Sequence, residues 1–182
     1  MVFPLFRRPA RPDTISTLYG MIVAQARLPI FYQEYGVSDT VNGRFDLLVL
    51  HLAAVSDRLF AEPALKELGQ GLFDRFCQDM DGNLREIGIA DLKVPKEMRR
   101  IGEAFYGRAM AYREALAADD AALAAVIVRN VYGEATAPAG VAPALAVYMR
   151  DMVADLAGQE AGALAAGTLR LPDPTKYLKI EG

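Results

Sequence analysis

Residues 73–87 read FDRFCQDMDGNLREI, and two structures compete for them. The stretch from Asp79 to Asn83 looks like the start of a calcium loop, with oxygen ligands Asp79, Asp81 and Asn83 at positions 1, 3 and 5. Such a loop also needs Gly at position 6 and a bidentate Glu at position 12. Those positions hold Leu84 and Ala90, so the sharp turn and the closing ligand are both missing. The apolar residues give another answer. Phe73, Phe76, Cys77, Met80, Leu84 and Ile87 recur at steps of three and four straight through the stretch, as on an amphipathic helix. On that helix Asp79, Asn83 and Glu86 share an outward face, and Asp81 can pair with Arg85 one turn on. The segment reads as helix, with Phe76 and Leu84 on its buried stripe and no metal site.

The same period recurs along the chain. Asp13 can cap a segment carrying Ile15, Leu18, Ile22 and Ala26, which must stop before Pro29. After the aromatic turn PIFYQEYG, Asp39 can cap a helix whose stripe is Phe45, Leu48, Leu52, Val55 and Leu59. A helix begun at Pro63, open to a break near Gly69 and Gly71, runs to about Ile87, and GIADLKVP connects it to the next. From Pro95 the stripe is Met98, Ile101, Phe105, Ala109, Tyr112 and Leu116. Asp119 or Asp120 caps a further helix, and after EATAPAGVAP a last one presents Leu145, Met149, Met152 and Leu156. No strand alternation or solenoid repeat is present. The expected fold is all-α: one helical bundle of about six to seven helices over 13–166, a flexible basic N-terminus over 1–12, and an extended tail over 167–182.

Composition narrows the function. The chain of 182 residues has 53% apolar residues and a net charge of −3, against a general nucleic-acid binder. Its single Cys excludes an internal disulfide and fits a reducing compartment. The longest uncharged run, 135–149, holds two prolines and is too short for a membrane span. The expectation is a soluble cytoplasmic protein without a secretory signal, whose MVFPLFRR start can touch a membrane surface. His51, the only histidine, sits at the border of an apolar stripe and lacks companions for a zinc or haem site. No nucleophile elbow, P-loop or dinucleotide fingerprint is present, so catalysis has no support and no cofactor is expected. Two features ask for a reason. Four tyrosines precede glycine (Tyr19, Tyr35, Tyr106, Tyr132), which suits either an interface groove or ordinary capping. KVPKEMRR, 93–100, concentrates Lys93, Lys96, Arg99 and Arg100 at a helix N-terminus, where the macrodipole disfavours cations.

Three blocks carry a family resemblance: LYGMIVAQARLPIFYQEYGVSDTVNGRFDLLVLHL, then DRFCQDMDGNLREIGIADLKVPKEM, then EAFYGR. From about Leu18 to Leu116 their order and spacing closely resemble the ubiquinol–cytochrome c chaperones, assembly factors of the ubiquinol–cytochrome c reductase complex, in an alphaproteobacterial-type form. The resemblance implies an all-α chaperone without catalysis that binds newly made cytochrome b. It also implies peripheral contact with the cytoplasmic face of the inner membrane or with the ribosome, and no specific nucleic-acid sequence as partner. The client surface is expected at the signature blocks, an apolar groove edged by polar groups: Tyr19, Phe31, Tyr32, Tyr35, Arg44, Asp79, Asn83, Arg85, Glu86, Lys93, Lys96, Phe105, Tyr106 and Arg108. The alternative is a helical carrier of haem or quinone, with His51 or a Tyr as its polar anchor.

Overall fold

The computed structural model describes residues 12–133 and 136–178. The basic N-terminus, through residue 11, lies outside them. The described residues are helical without strands, as the 3.6-residue period demands. Helix α1 is Pro12–Ala26, α2 Pro29–Gln33, α3 Val41–Ala61, α4 Lys66–Glu86, α5 Val94–Ala117, α6 Asp120–Ile127, α7 Val141–Ala157 and α8 Ala161–Ala165. A 3₁₀ turn at Pro63–Leu65 leads into α4, a π turn at Val128–Tyr132 ends α6, and another 3₁₀ turn spans Pro174–Tyr177.

Helix α3 is the axis of the bundle. It packs against α1, α4, α5 and α7, and residues 46–56 are all buried. The five-residue stripe expected for α3 is therefore only part of what it buries. A helix enclosed by neighbours on every side buries the residues between its stripe positions too. His51 follows from this: the expected border residue is fully buried. Its Nδ1 donates to the Leu47 carbonyl at 2.7 Å, and its Nε2 accepts from the Tyr148 hydroxyl at 2.7 Å. Gln25 donates to the Tyr148 oxygen in turn, at 3.0 Å. Burial pulls the imidazole down to about 4, so it is neutral at pH 7.

Helix boundaries correct two expectations and close a question left open in α4. Asp13 lies in the first turn of α1 rather than capping it, since the helix already begins at Pro12. Thr40, not Asp39, caps α3 by accepting from the Gly43 N–H, while Asp39 pairs with Arg44 at 2.7 Å. Helix α4 runs unbroken through Gly69 and Gly71. Asp119 does cap α6, accepting from the Ala122 N–H at 2.8 Å. The Tyr–Gly pairs divide. A Cβ at Gly20 or Gly107 would meet nothing within 4 Å, so close helix approach explains neither, whereas Gly36 and Gly133 have φ of 68° and 59° and turn the chain.

The segment after α8 runs extended and then turns at Pro174–Tyr177, yet it is packed against the bundle rather than free of it. Leu169 and Pro174 are buried. Gln25 donates to the Pro172 carbonyl and Tyr35 to the Pro174 carbonyl, each at 2.7 Å.

Candidate functional site

Where α1 and α4 end and α3 and α5 begin, the four helices leave a cleft of about 480 Å³. Its apolar floor includes Val23 of α1, Phe45 and Leu48 of α3, Met80 and Leu84 of α4, and Ile101 of α5. Its rim carries Arg27, Arg44, Asn83, Glu97 and Arg100. The origin of the cleft lies in α4. The stripe read as one buried face is buried at Phe76, half-buried at Phe73, Cys77, Met80 and Leu84, and 67% exposed at Ile87. Placing Leu84 on a buried stripe is therefore corrected. The period is continuous, but among the described residues no neighbour covers its far end, and that part becomes a floor.

A charged contact supports the back of the cleft. Arg108 reaches Asp46 at 2.7 Å, and its guanidinium lies 5.4 Å from the centre of the Phe45 ring. Burial pushes the Asp46 carboxyl up to about 6, although Arg108 opposes the rise. Phe45 thus lies beside the Arg108 guanidinium and the Phe76 ring, the latter 6.4 Å away between centres.

The residues nominated from sequence are dispersed. Arg44 and Asn83 line the cleft. Phe31, Tyr35 and Phe105 are core residues, at 0%, 0% and 4% exposure, and Tyr19 is buried with its hydroxyl donating to Asp79 at 2.9 Å. For these four the expectation of an exposed client surface is corrected, because neighbouring helices or the packed C-terminal segment cover them. Burial, followed by the contact with Asp79, also raises the Tyr19 hydroxyl well above its ordinary range. Tyr32 is half-buried and donates to the Ala26 carbonyl. Arg85 pairs with Asp81 at 2.7 Å, as the spacing predicts, and with Asp91 at 2.6 Å. Residues 79–86 are helical, so the loop geometry of a calcium site is not formed. Glu86, Lys93 and Lys96 are exposed. Tyr106 is 61% exposed, with its ring 5.3 Å from that of Phe73, and Arg108 is spent on Asp46. Among the described aromatic residues only Phe45 lines this cleft, whose floor is otherwise aliphatic and whose rim is basic.

Sequence reasoning did not nominate Arg27 or Ile101 for the site, and it assigned Met80 and Leu84 to the core. Helical period cannot distinguish a covered stripe from an uncovered one. The one signal that was present, KVPKEMRR, brings Arg100 to the rim and leaves Lys93 and Lys96 on the same side of α5, three and four residues apart.

The family model described as "Ubiquinol-cytochrome C chaperone" matches residues 33–171, which include most of the cleft and every element from α3 to α8. The chain belongs to the ubiquinol–cytochrome c chaperone family. A crystal structure described as the Cbp3 homolog from Brucella abortus superposes with a TM-score of 0.84 at 38% identity, covering 97% of this chain and 99% of that one. The ubiquinol-cytochrome-c reductase complex assembly factor 1 of Xenopus laevis is 26% identical over 115 residues, 63% of this chain. The match spans 58% of that relative's length. For this chaperone-family chain, His51 offers no free nitrogen to a ligand, and no group of three or more His, Cys, Asp or Glu among the described residues is placed to hold a metal ion.

Proposed function

We propose that this chain is a non-catalytic assembly chaperone for the ubiquinol–cytochrome c reductase complex, and that its cleft holds an apolar helix of newly made cytochrome b. One observation carries the reading: the apolar stripe of α4 leaves the core at Met80 and Leu84 and forms the floor of a cleft within the family-matched residues. A groove flanked by helices suits an apolar helix laid into it, and polar rim groups suit release better than a sealed pocket would. The buried groups support absence of catalysis. His51 is neutral with both nitrogens engaged, and burial pushes the Cys77 thiol up, away from the reactive thiolate. No helix of the described residues is long and apolar enough to cross a membrane, which fits peripheral action at the cytoplasmic face of the inner membrane.

The test is site-specific cross-linking in cells. A photoreactive residue at Leu84 or Ile101 should capture cytochrome b, and one at Val147, exposed on α7 outside the cleft, should not. Capture from Val147 but not from Leu84 moves the client surface elsewhere. A second reading, a carrier of quinone or another small apolar molecule, is favoured by the cleft volume, which lies in the range of small-ligand sites. Organic extraction of the purified protein distinguishes it: stoichiometric quinone supports the carrier.

A further inference from the structure

We infer that the segment seated in the cleft is a helix bordered by an acidic side chain, and that the acid is read by Arg27, Arg44 and Arg100. This deepens the chaperone reading and rests on it. The chain as a whole is acidic, with a net charge of −3, yet the rim sets three arginines against Glu97 and against Asp39, which lies just behind it on Arg44. The three approach from different helices. Arg27 follows the end of α1, Arg44 lies in the first turns of α3 and Arg100 in those of α5. Lys93 and Lys96 extend the basic edge along α5.

Two of the arginines are engaged by the chain's own carboxylates. Asp39 lies 2.7 Å from Arg44, and Glu97 lies 3.1 Å from Arg100. The Asp39 pair is solvent-exposed and the Glu97 pair partly so, hence both are weak and exchangeable. Arg27 has no ion pair among the described residues. An incoming carboxylate meets one open guanidinium at Arg27 and can displace Asp39 or Glu97 from the other two. The resident acids are then competitors, which a purely structural role for these pairs does not require. Concavity favours a helix over a bilayer surface, because the apolar atoms lie on the floor and the cations at the edge. A flat membrane would reach the arginines without reaching Met80 or Leu84.

The experiment uses the full chain and two fluorescein-labelled amphipathic helical peptides, identical except for a Glu or a Gln one turn from the apolar face's end. Fluorescence anisotropy at low salt should show the Glu peptide binding about three- to fivefold tighter, with the difference vanishing at high salt. Replacing Arg27, Arg44 and Arg100 together by Gln should erase the preference. Asp39→Asn and Glu97→Gln should each tighten the Glu peptide, which loss of a merely structural ion pair would not do. Equal binding of the two peptides, abolished by Leu84→Arg, overturns the charge reading while leaving the cleft as the client site. Binding untouched by Leu84→Arg overturns the cleft reading itself. Tighter association with phosphatidylglycerol vesicles than with either peptide, kept by Leu84→Arg but lost when the three arginines are replaced by Gln, replaces the helix with a lipid surface and overturns the proposal.

Discussion

His51 and Asp46 lie on the same helix, and burial moves their titrations in opposite directions. His51 falls from 6.5 to about 4, so between those values the unfolded chain binds the proton and the native one does not. Stability from this residue declines as pH drops through that window and is level above pH 6.5, a change on the order of 3 kcal/mol. Asp46 rises from 3.8 to about 6, so the native state binds the proton first and stability from it grows as pH falls through the same window. The two slopes offset each other in the native chain. Urea unfolding from pH 4 to 7 should therefore show His51→Gln gaining relative stability at low pH, and Asp46→Asn losing it. Parallel curves for the two variants contradict the assignment. Packing gives a second residue-scale contrast. Phe76 is fully buried, so Phe76→Ala should destabilise by about 3–5 kcal/mol. Leu84 faces the cleft half-buried, and Leu84→Ala should cost less than half as much by the same urea measurement.

Within the helices, glycine tests how closely elements are fitted. A Cβ at Gly43 would lie 2.0 Å from the Ser38 carbonyl oxygen, because the chain doubles back before the Thr40 cap to start α3. A Cβ at Gly107, inside α5, meets nothing within 4 Å. Gly107→Ala should stabilise by about 0.5–1 kcal/mol through helix propensity, while Gly43→Ala should destabilise by more than about 1 kcal/mol by straining the α3 start. Thermal melts of the two variants should move in opposite directions. At this scale most of the fold was legible. The stripes of α1, α4 and α5 and a cap at Asp119 or Asp120 follow from apolar spacing and turn chemistry, which are local. Thr40 in place of Asp39 at the α3 cap was not legible, since adjacent residues of equal capping ability are separated only by the backbone path that delivers them.

For the molecule as a whole, the residues that hold the fold together separate from those that form the cleft. Tyr35 was read as a binding residue, yet it is fully buried and donates to the Pro174 carbonyl, fastening the C-terminal segment to the bundle. Tyr35→Phe should lower unfolding free energy by about 1–3 kcal/mol, through an unsatisfied buried carbonyl, and leave cross-linking of cytochrome b unchanged. Leu84→Arg should do the reverse, abolishing capture with little change in the melting temperature. If Tyr35→Phe instead removes capture while the melt is unaltered, the division is wrong. The sequence by itself determined an all-α chain, the bounds of its long helices to within a few residues, and through its signature blocks the family. These are consequences of local periodicity and of residue order. Only the tertiary structure decided that α3 is enclosed on every side, that Phe31 and Tyr35 are core, and that the α4 stripe emerges into a cleft at Met80 and Leu84. Apolar spacing specifies which residues need a neighbour; whether one arrives depends on where other helices end, and α1 and α4 end where α3 and α5 have only begun.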